Sequence, residues 1–449
     1  FVKQFVQDNE ESKMILRCIR NHHASNLKNA NLDEADLADI VYEADNIAAG
    51  MDRRSNEGED KGFDAKMPLS SVFNIFGGAK PNSAKGSFFL RGMNPKENFN
   101  YPTQQDVMAS SDKYKELVEE LKSNFQRGNL GEMSSNELLR IYEDITSYVP
   151  SSTNKEEVCD ISLFIHSKIT AAVASCMEHY FDEQGITDFK KYCFSDNKTF
   201  RTQNAFMLVS GDVSGIQDFL YTIPSKGALK SLRGRSFYLE IMLENFIDVL
   251  LEDLGLARTN LLYSGGGHFY LLAPNTDEAK SKIKEAQEKC NRWLLSNFGT
   301  KLYIAVGFAE CSANELMESR KQRSVFAEVS QNINFDKLNR YDVETLSKLF
   351  EIGSTFNNNL DNGRECGICH TSSADLQSYD DAMVCPACLG LLNFGKNILD
   401  EDIVFVVSDE SVDNGLPVFG KTTPNYIYAV KTNKLDTFDK NIIRIYSKN

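Results

Sequence analysis

The sequence is short of basic residues and has no long apolar run, and each shortage excludes a class of function. It carries 49 Lys and Arg against 64 Asp and Glu, a formal net charge of −15. Binding to nucleic acid through a general positive field is therefore not expected, because phosphate affinity depends on Lys and Arg that release counterions. A local basic groove or a basic partner remains open. Because no apolar run reaches the length of a membrane span, no membrane partner is expected.

The ten cysteines are scattered and follow no recognisable secretory leader. Such a pattern is typical of free thiols in a reducing compartment, so a cytoplasmic location is expected. The chain starts at Phe1 within a helical pattern and ends just after a strand-like segment, 441–447. We therefore expect the 449 residues to be part of a longer polypeptide. This length is enough for two to four domains with their own cores.

A third shortage concerns carboxylates around two conspicuous segments. The β-prone segment 206–211 runs into Asp212, and some fifty residues later 264–268 reads Ser-Gly-Gly-Gly-His. A nucleotide-polymerising palm domain holds two cations with an acidic pair after its first strand and a second acidic pair in a hairpin. Here Ser214 and the Gly267-His268 dipeptide occupy places where acids would be expected. The pattern predicts a domain that holds a nucleotide without activating it alone.

The elements around these segments predict a β-α-β-β-α-β unit. Strand patterns at 206–211, 260–263, 268–273 and 301–308 alternate with helical patterns at 232–254 and 276–298. This order is that of the ferredoxin-like split unit, which palms share with many domains of other chemistry. Three basic residues, Lys230, Arg233 and Arg235, cluster where the first helix begins. They suit a phosphate at a helix N-terminus, or they form an exposed solvated face.

Two C-x-x-C pairs predict a structural zinc site. Cys366 and Cys369 are separated by fifteen residues from Cys385 and Cys388, so that two knuckles can complete a tetrahedron of thiolates. The alternatives are a redox pair or a disulfide, but a thioredoxin-like motif would be single. With four protein ligands no position stays open for water, so we expect the metal to stabilise the fold. His370 beside the site is expected to be a bystander.

The first third of the chain is helical by pattern, and segment 67–103 is rich in Pro, Gly, Asn and Ser. His22 and His23 lie at a helix end, and Asp45 follows on the next long helix. Phosphohydrolases of the HD type build a metal site from such helical His and Asp residues, but their adjacent His-Asp pair is absent from this sequence. On the residues alone, exposed loop histidines and a helix-surface acid are the favoured interpretation. His166 is predicted to be a satisfied histidine within a helix or interface.

Three motifs resemble one family. They are 211–221 (GDVSGIQDFLY), 226–236 (KGALKSLRGRS) and 262–268 (LYSGGGH). Together they resemble the large subunit of type III-A CRISPR Csm effector complexes, a multidomain protein with an HD nuclease domain and two palms. The cysteine module is similar to that family's zinc insertion, and 42–50 (YEADNIAAG) to the end of its HD domain. The resemblance covers essentially the whole chain in the expected order.

The resemblance implies an antiviral, RNA-guided enzyme. Members cleave single-stranded DNA with the HD domain when target RNA is bound, and their paired palms make cyclic oligoadenylate from ATP with Mg or Mn. They also contact the guide CRISPR RNA and the other Csm subunits. Since neither the His-Asp pair nor the Gly-Gly-Asp-Asp of the second palm occurs here, the chain is expected to supply the ATP-holding first palm. The alternatives are a non-enzymatic, zinc-stabilised scaffold, or a stand-alone HD phosphohydrolase with an accessory palm.

The resemblance also implies roles for particular residues and an α+β multidomain fold. Expected catalytic residues of the HD site are His22, His23 and Asp45. Expected nucleotide-binding residues are Asp212, Ser214, Gly215, Gly265, Gly266, Gly267 and His268. Expected zinc ligands are Cys366, Cys369, Cys385 and Cys388. The expected domains are the C-terminal part of a helical HD domain (1–66), a linker with a helical connector (67–204), the first, ferredoxin-like palm (205–350), and a zinc-ribbon-like module with the start of the following region (351–449).

Overall fold

A computed structural model describes most of the chain. The described residues are 2–56, 61–76, 82–83, 85–93, 99–128, 130–223, 227–351, 364–373, 375–380, 382–400, 402–410, 415–421, 424–438 and 440–447. Lys226 of the second family-like motif lies outside them. None of the helices in this part of the chain is long and apolar enough to cross a membrane.

The N-terminal region is helical, as its pattern predicts. Its helices are α1 (Glu10–Asn21), α2 (Ala24–Asn29), α3 (Leu37–Asp52), α4 (Ser111–Gly128), α5 (Ser135–Thr146), α6 (Leu163–Glu183) and α7 (Asn197–Phe200). The Asp36 side chain accepts a hydrogen bond from the Ala38 amide and so fixes the start of α3. A capping box between Ser134 and Glu137 does the same for α5.

The segment between α3 and α4 is irregular, as its composition predicts. Its described part contains one short 3₁₀ helix, Val72–Ile75. An isolated β-bridge between Phe63 and Asn154 joins it to the loop before α6. Another, between Ser70 and Ser87, joins two parts of the segment itself. The described part of this segment therefore lies against the loop before α6 through isolated backbone bridges.

The following region has the predicted β-α-β-β-α-β order. Its elements are β1 (Phe206–Ser214), α8 (Ile216–Tyr221), α9 (Ala228–Leu254), β2 (Leu261–Gly265), β3 (His268–Pro274), α10 (Asp277–Phe298) and β4 (Tyr303–Cys311), followed by α11 (Ala313–Met317), α12 (Ser319–Leu338) and α13 (Val343–Phe350). The strands form one antiparallel sheet in the order β2-β3-β1-β4. This is the spatial order of a ferredoxin-like unit.

The two faces of this sheet belong to different cores, because alternate residues of a strand point to opposite sides. Met207, Val209 and Val213 of β1 pack into the core that contains α9 and α10. Phe206 and Leu208 pack into the core that contains α3, α6 and α12. At the end of β1, the even-numbered residues therefore face α12, and the odd-numbered residues face α8 and α9.

The C-terminal region contains the cysteine module and a second four-stranded sheet. Its elements are β5 (Arg364–Glu365), β6 (Ser372–Ser373), β7 (Gln377–Tyr379), β8 (Ala382–Val384), α14 (Pro386–Asn397), β9 (Ile403–Ser408), β10 (Leu416–Val418), β11 (Asn425–Lys431) and β12 (Arg444–Ser447). β5–β6 and β7–β8 are small hairpins that carry the cysteine pairs, whereas β9 to β12 form an antiparallel sheet in the order β10-β11-β9-β12. In this sheet β9, the β10–β11 pair and β12 thus take the places that β1, the β2–β3 hairpin and β4 have in the first sheet.

Helix α9 joins the two sheets and crosses α14 at very short range. A Cβ on Gly234 would lie 2.1 Å from the Leu391 carbonyl oxygen, and one on Gly395 would lie 2.0 Å from that of Lys230. Only glycine at both positions lets the two backbones touch. Further along α9, the Asn245 side chain donates to the Phe419 carbonyl beyond β10. The first sheet, the cysteine module and the second sheet therefore share this one helix.

Candidate functional site

The four predicted zinc ligands meet in one cluster. The sulfur atoms of Cys366, Cys369, Cys385 and Cys388 all lie within 4.8 Å of one another. Those of Cys369 and Cys385 are 3.7 Å apart, far beyond a disulfide bond of about 2.05 Å. A tetrahedral metal with bonds of about 2.3 Å to sulfur requires sulfur–sulfur edges of about 3.8 Å. The cluster therefore fits a tetrahedral thiolate site, and none of these four cysteines forms a disulfide bond in the structure.

Backbone and side-chain N–H groups surround these sulfur atoms. The amides of Cys385 and Ile368 donate to the sulfur of Cys366 over 3.3 Å and 3.4 Å. Donors of this kind disperse the negative charge of thiolates and orient ligands around a metal. His370 is not part of this cluster.

Arg235 belongs to this cluster and not to a phosphate site. Its side chain is buried, and Nη2 donates to the sulfur of Cys388 over 3.2 Å. Nη1 donates to the Phe219 carbonyl, and the guanidinium lies 4.8 Å from the centre of the Phe219 ring. The sequence leaves open a phosphate ligand or an exposed solvated face for Lys230, Arg233 and Arg235, and the buried position of Arg235 fits neither alternative. A buried guanidinium offsets the charge of the thiolates instead.

The end of β1 carries a compact polar group. Asp212 forms an ion pair through Oδ2 with Lys337 of α12, and its Oδ1 lies 3.3 Å from His268 Nδ1. Burial raises the pKa of Asp212, but the contacts with His268 and Lys337 outweigh it and lower the pKa below its ordinary value. The carboxylate is thus charged and already neutralised by the protein. Lys337 was missed from the sequence because it lies 125 positions from Asp212 on an amphipathic helix.

The glycine hairpin opens on the other face of the sheet. Gly265, Gly266 and Gly267 line a cavity of 180 Å³ together with Val213 and Glu240. Asp212, Ser214, Gly215 and His268 do not line it. The predicted nucleotide-binding residues thus lie at one end of the sheet but on two of its faces.

The backbone conformation and packing at Gly215 and Gly267 favour glycine independently of any ligand. Gly215 has a φ of +88°, and a Cβ there would lie 1.8 Å from the Lys301 carbonyl oxygen. Gly267 has a φ of +85°, and its Cβ would meet the side chain of Ile216 at 2.1 Å. Both positions favour glycine because of their positive φ, and at Gly215 the Lys301 carbonyl also leaves no room for a Cβ, whether or not a nucleotide binds.

The three predicted HD residues lie around one cavity. His22, His23 and Asp45 line a space of 550 Å³ together with Arg53 and Asn154, among others. The rings of the two histidines are tilted against each other at 43°, with centroids 3.9 Å apart. Their nitrogen atoms and the Asp45 carboxylate do not close into a metal-sized cluster among the described residues. The three residues thus share a cavity, but among the described residues they do not form a complete set of metal ligands.

His166 contacts the Asp45 carboxylate. From the sequence, it is predicted only as a histidine whose ring nitrogens are hydrogen-bonded within a helix or interface. Its Nε2 lies 3.0 Å from Asp45 Oδ1, and its Nδ1 lies 2.8 Å from Asp52 Oδ2. Burial lowers the pKa of His166, but the two carboxylates outweigh it and raise the pKa to about 9. The ring is therefore a cation that donates from both nitrogens. The spacing of Asp45 and Asp52, two turns apart on α3, was the signal in the sequence for such a shared partner.

Comparison with known proteins identifies the family. A family model described as "Csm1 subunit domain B" matches residues 205–353, the first sheet and the helices that follow it. A curated relative from Mycobacterium tuberculosis, named "CRISPR system single-strand-specific deoxyribonuclease Cas10/Csm1 (subtype III-A)", is 39% identical over 428 residues, which cover 91% of this chain and 52% of the relative. A relative of the same name from Streptococcus thermophilus is 36% identical over 439 residues, 95% of this chain and 55% of the relative. The chain belongs to the Cas10/Csm1 family of subtype III-A.

Solved Csm1 structures share the fold. A Csm1–Csm4 subcomplex of the type III-A CRISPR-Csm interference complex matches with a TM-score of 0.63 and 26% identity, covering 94% of this chain and 48% of that one. A Csm1–Csm4 cassette in complex with cA4 matches with a TM-score of 0.56 and 28% identity over 79% of this chain and 44% of that one. The chain spans about half the length of the curated relatives that it matches.

Proposed function

We propose that this chain supplies the HD-type, first-palm and zinc-binding parts of the large subunit of a type III-A CRISPR effector. The observation that carries the proposal is the β2-β3-β1-β4 sheet whose first strand ends at Asp212 beside a glycine hairpin, within the segment matched by the family model. Relatives named as single-strand-specific deoxyribonucleases and a related cassette bound to cA4 support the two activities at the level of the family.

In this proposal the first sheet is a palm that holds one ATP. Gly265–Gly267 allow the nucleotide to approach the hairpin, and Asp212, Ser214, Gly215 and His268 position it at the end of β1. In the whole protein, the 3′-hydroxyl of one adenosine would attack the α-phosphate of the next, and pyrophosphate would leave. Holding one nucleotide in line can lower that barrier by several kcal/mol without a local acid. Divalent cations at the second palm would supply charge neutralisation.

The cavity around His22, His23 and Asp45 is proposed as part of the DNA-cleaving site. Imidazole and carboxylate groups are suitable ligands for Mn or, through oxygen, for Mg. A bound cation would activate a water for attack on phosphate. Because the described residues give an incomplete ligand set, further ligands from the whole protein are required. The contact between His166 Nε2 and Asp45 Oδ1 would fix the orientation of the Asp45 carboxylate in this cavity.

The cysteine cluster is proposed as a zinc site with a structural role. Its four sulfur ligands fill a tetrahedral shell, so no position is left for substrate. The proposed partners are Csm4 and the other Csm subunits, guide and target RNA, single-stranded DNA and ATP, in the cytoplasm. The domain bounds are proposed as predicted from the sequence: 1–66, 67–204, 205–350 and 351–449.

Calorimetric titration of the full chain with ATP tests the palm assignment. Gly266→Val places a side chain in the hairpin at a φ of +63° and is expected to weaken ATP binding. Gly185→Val is the matched control, since it has the same φ of +63° and similarly open surroundings after α6. Saturable binding in the wild type and in the control, but not in Gly266→Val, supports the proposal. Absence of ATP binding in all three proteins would instead favour the scaffold alternative.

A further inference from the structure

We propose that Lys337 takes the place of a divalent cation at the end of β1 and binds a phosphate of the nucleotide held by this palm. The inference rests on the proposed function and extends it: nucleotide binding here would need no metal ion. A metal-dependent palm uses its first aspartate to hold a cation that meets the phosphates. In this chain the cation that meets Asp212 is a lysine.

Both oxygens of the Asp212 carboxylate are occupied by the protein. Oδ2 pairs with Lys337, and Oδ1 faces His268 Nδ1 at 3.3 Å. The acidic partner that would complete a metal site is replaced by Ser214. An ammonium group has three N–H donors, and the contact with Asp212 needs only one. Since the Lys337 side chain is 31% exposed, its remaining donors are accessible to a phosphate.

His268 closes the other side of the Asp212 carboxylate. The Ser210 hydroxyl donates to the Phe269 carbonyl over 2.6 Å, so its oxygen accepts from His268 Nε2 over 3.1 Å. Nδ1 of the same ring faces Asp212 Oδ1 at 3.3 Å. The carboxylate is thus held between the Lys337 ammonium and an imidazole whose orientation is fixed by Ser210, and the ammonium is the group that can meet an anionic ligand.

The nearest acid on α12 does not cancel this charge. Oδ2 of Asp336, the residue before Lys337, accepts hydrogen bonds from Gln287 (2.6 Å), the Tyr303 hydroxyl (3.1 Å) and the Val306 amide (3.3 Å). Burial raises the pKa of Asp336. The carboxylate is thus engaged by neutral donors on β4 and α10. Lys337 keeps Asp212 as its ion-pair partner.

The packing of α12 explains why a lysine reaches this point. A Cβ on Gly307 of β4 would lie 2.8 Å from the Ile333 amide nitrogen, so the helix rests directly on the strand. Lys337 follows Ile333 by one helical turn and therefore projects from the same side of α12. Its ammonium arrives beside Asp212 at the end of the neighbouring strand, β1. The position is set by the backbone and not by a flexible loop.

Titration of ATP into the full chain, without divalent ions and with excess Mg²⁺, tests the inference. Chelator is omitted, since it would also strip the cysteine site. Wild-type affinity is expected to change by less than about threefold with Mg²⁺, because the charge is supplied by the protein. Lys337→Met is expected to weaken binding about tenfold to a hundredfold, the usual effect of a lost charged hydrogen bond. Lys337→Arg keeps the charge and is expected to retain most of the affinity.

Lys321→Met is the matched control on the same helix. Lys321 is exposed and forms an ion pair with Glu318 at 2.8 Å. Equal affinity of Lys337→Met and Lys321→Met would overturn the inference, as would wild-type binding that requires Mg²⁺. The second of these needs no variant and so does not depend on how Lys337→Met folds. ATP binding that depends on Mg²⁺ would leave the proposed function intact, whereas no binding under either condition would overturn both.

Discussion

Replacing His166 with glutamine removes a buried cation from between two carboxylates. The ring nitrogens lie 3.0 Å from Asp45 and 2.8 Å from Asp52. The His166 side chain is only 10% exposed and that of Asp52 only 8%, so solvent screens the contacts weakly. Glutamine is neutral and cannot pair with both. Asp52, whose Oδ1 has no hydrogen-bond partner among the described residues, would then lose the cation that faces its Oδ2.

The magnitude follows from the proton affinity of the ring. Burial opposes the charged form, yet the two carboxylates raise the pKa of His166 from 6.5 to about 9. At about 1.4 kcal/mol for each pKa unit, this stabilises the folded state by about 3 kcal/mol. Because the folded-state pKa is raised, the contribution is complete below pH 6.5 and is lost as the pH rises through about 9. We therefore expect His166→Gln to cost most at low pH.

Urea unfolding of the wild type and of His166→Gln, from about pH 6 to about pH 10 and without divalent ions, measures this difference. The two free energies of unfolding should differ by about 3 kcal/mol at the acidic end and converge at the alkaline end. His179→Gln is the control, because His179 lies on the same helix, α6, with a 34% exposed side chain. A difference that does not vary with pH, or one below about 1 kcal/mol at the acidic end, would refute the reasoning.

Three further predictions concern the cysteine cluster and a strained turn. Metal analysis should find one zinc per wild-type chain and its loss in Cys366→Ser and Cys385→Ser; retention of zinc in both would contradict the tetrahedral site. Arg235→Met should weaken zinc binding about tenfold to a hundredfold in a chelator competition, and wild-type affinity in this variant would show that the guanidinium does not support the thiolates. Gly215→Ala should lower the free energy of unfolding by about 2 kcal/mol more than Gly62→Ala, because both have positive φ but only Gly215 faces a carbonyl at 1.8 Å. Equal losses in the two variants would mean that the turn can relax.

Features that depend on local spacing were predictable from the sequence. The two C-x-x-C pairs imply knuckles whose sulfurs converge, and the structure brings all four within 4.8 Å. The alternation of strand and helix patterns around the glycine hairpin predicts a β-α-β-β-α-β unit, and the strand order agrees with it. In both cases short segments carry the information. Strand patterns at 403–407, 426–430 and 441–447 predict three strands of the second sheet, whereas β10 is only three residues long and gives little periodicity.

Contacts between distant segments were not predictable. Lys337, the ion-pair partner of Asp212, and His166, the partner of Asp45, lie on α12 and α6, each more than a hundred residues away, and these contacts depend on how the helices dock. Arg235 shows the same limit. Its place in the first turns of a helix suggests a phosphate ligand, whereas its burial against Cys388 depends on the position of α14. Periodicity indicates which face of a helix is apolar, but not which neighbour covers it.

The crossing at Gly234 and Gly395 has a mechanical consequence. Since the backbones of α9 and α14 touch there, no side chains lie between them that could adjust to a relative shift. Helix α9 is also hydrogen-bonded through Asn245 to the loop beyond β10 and packed beneath the first sheet. If the cysteine module were displaced, α9 would therefore move with it as a rigid body. The glycine hairpin would move with it.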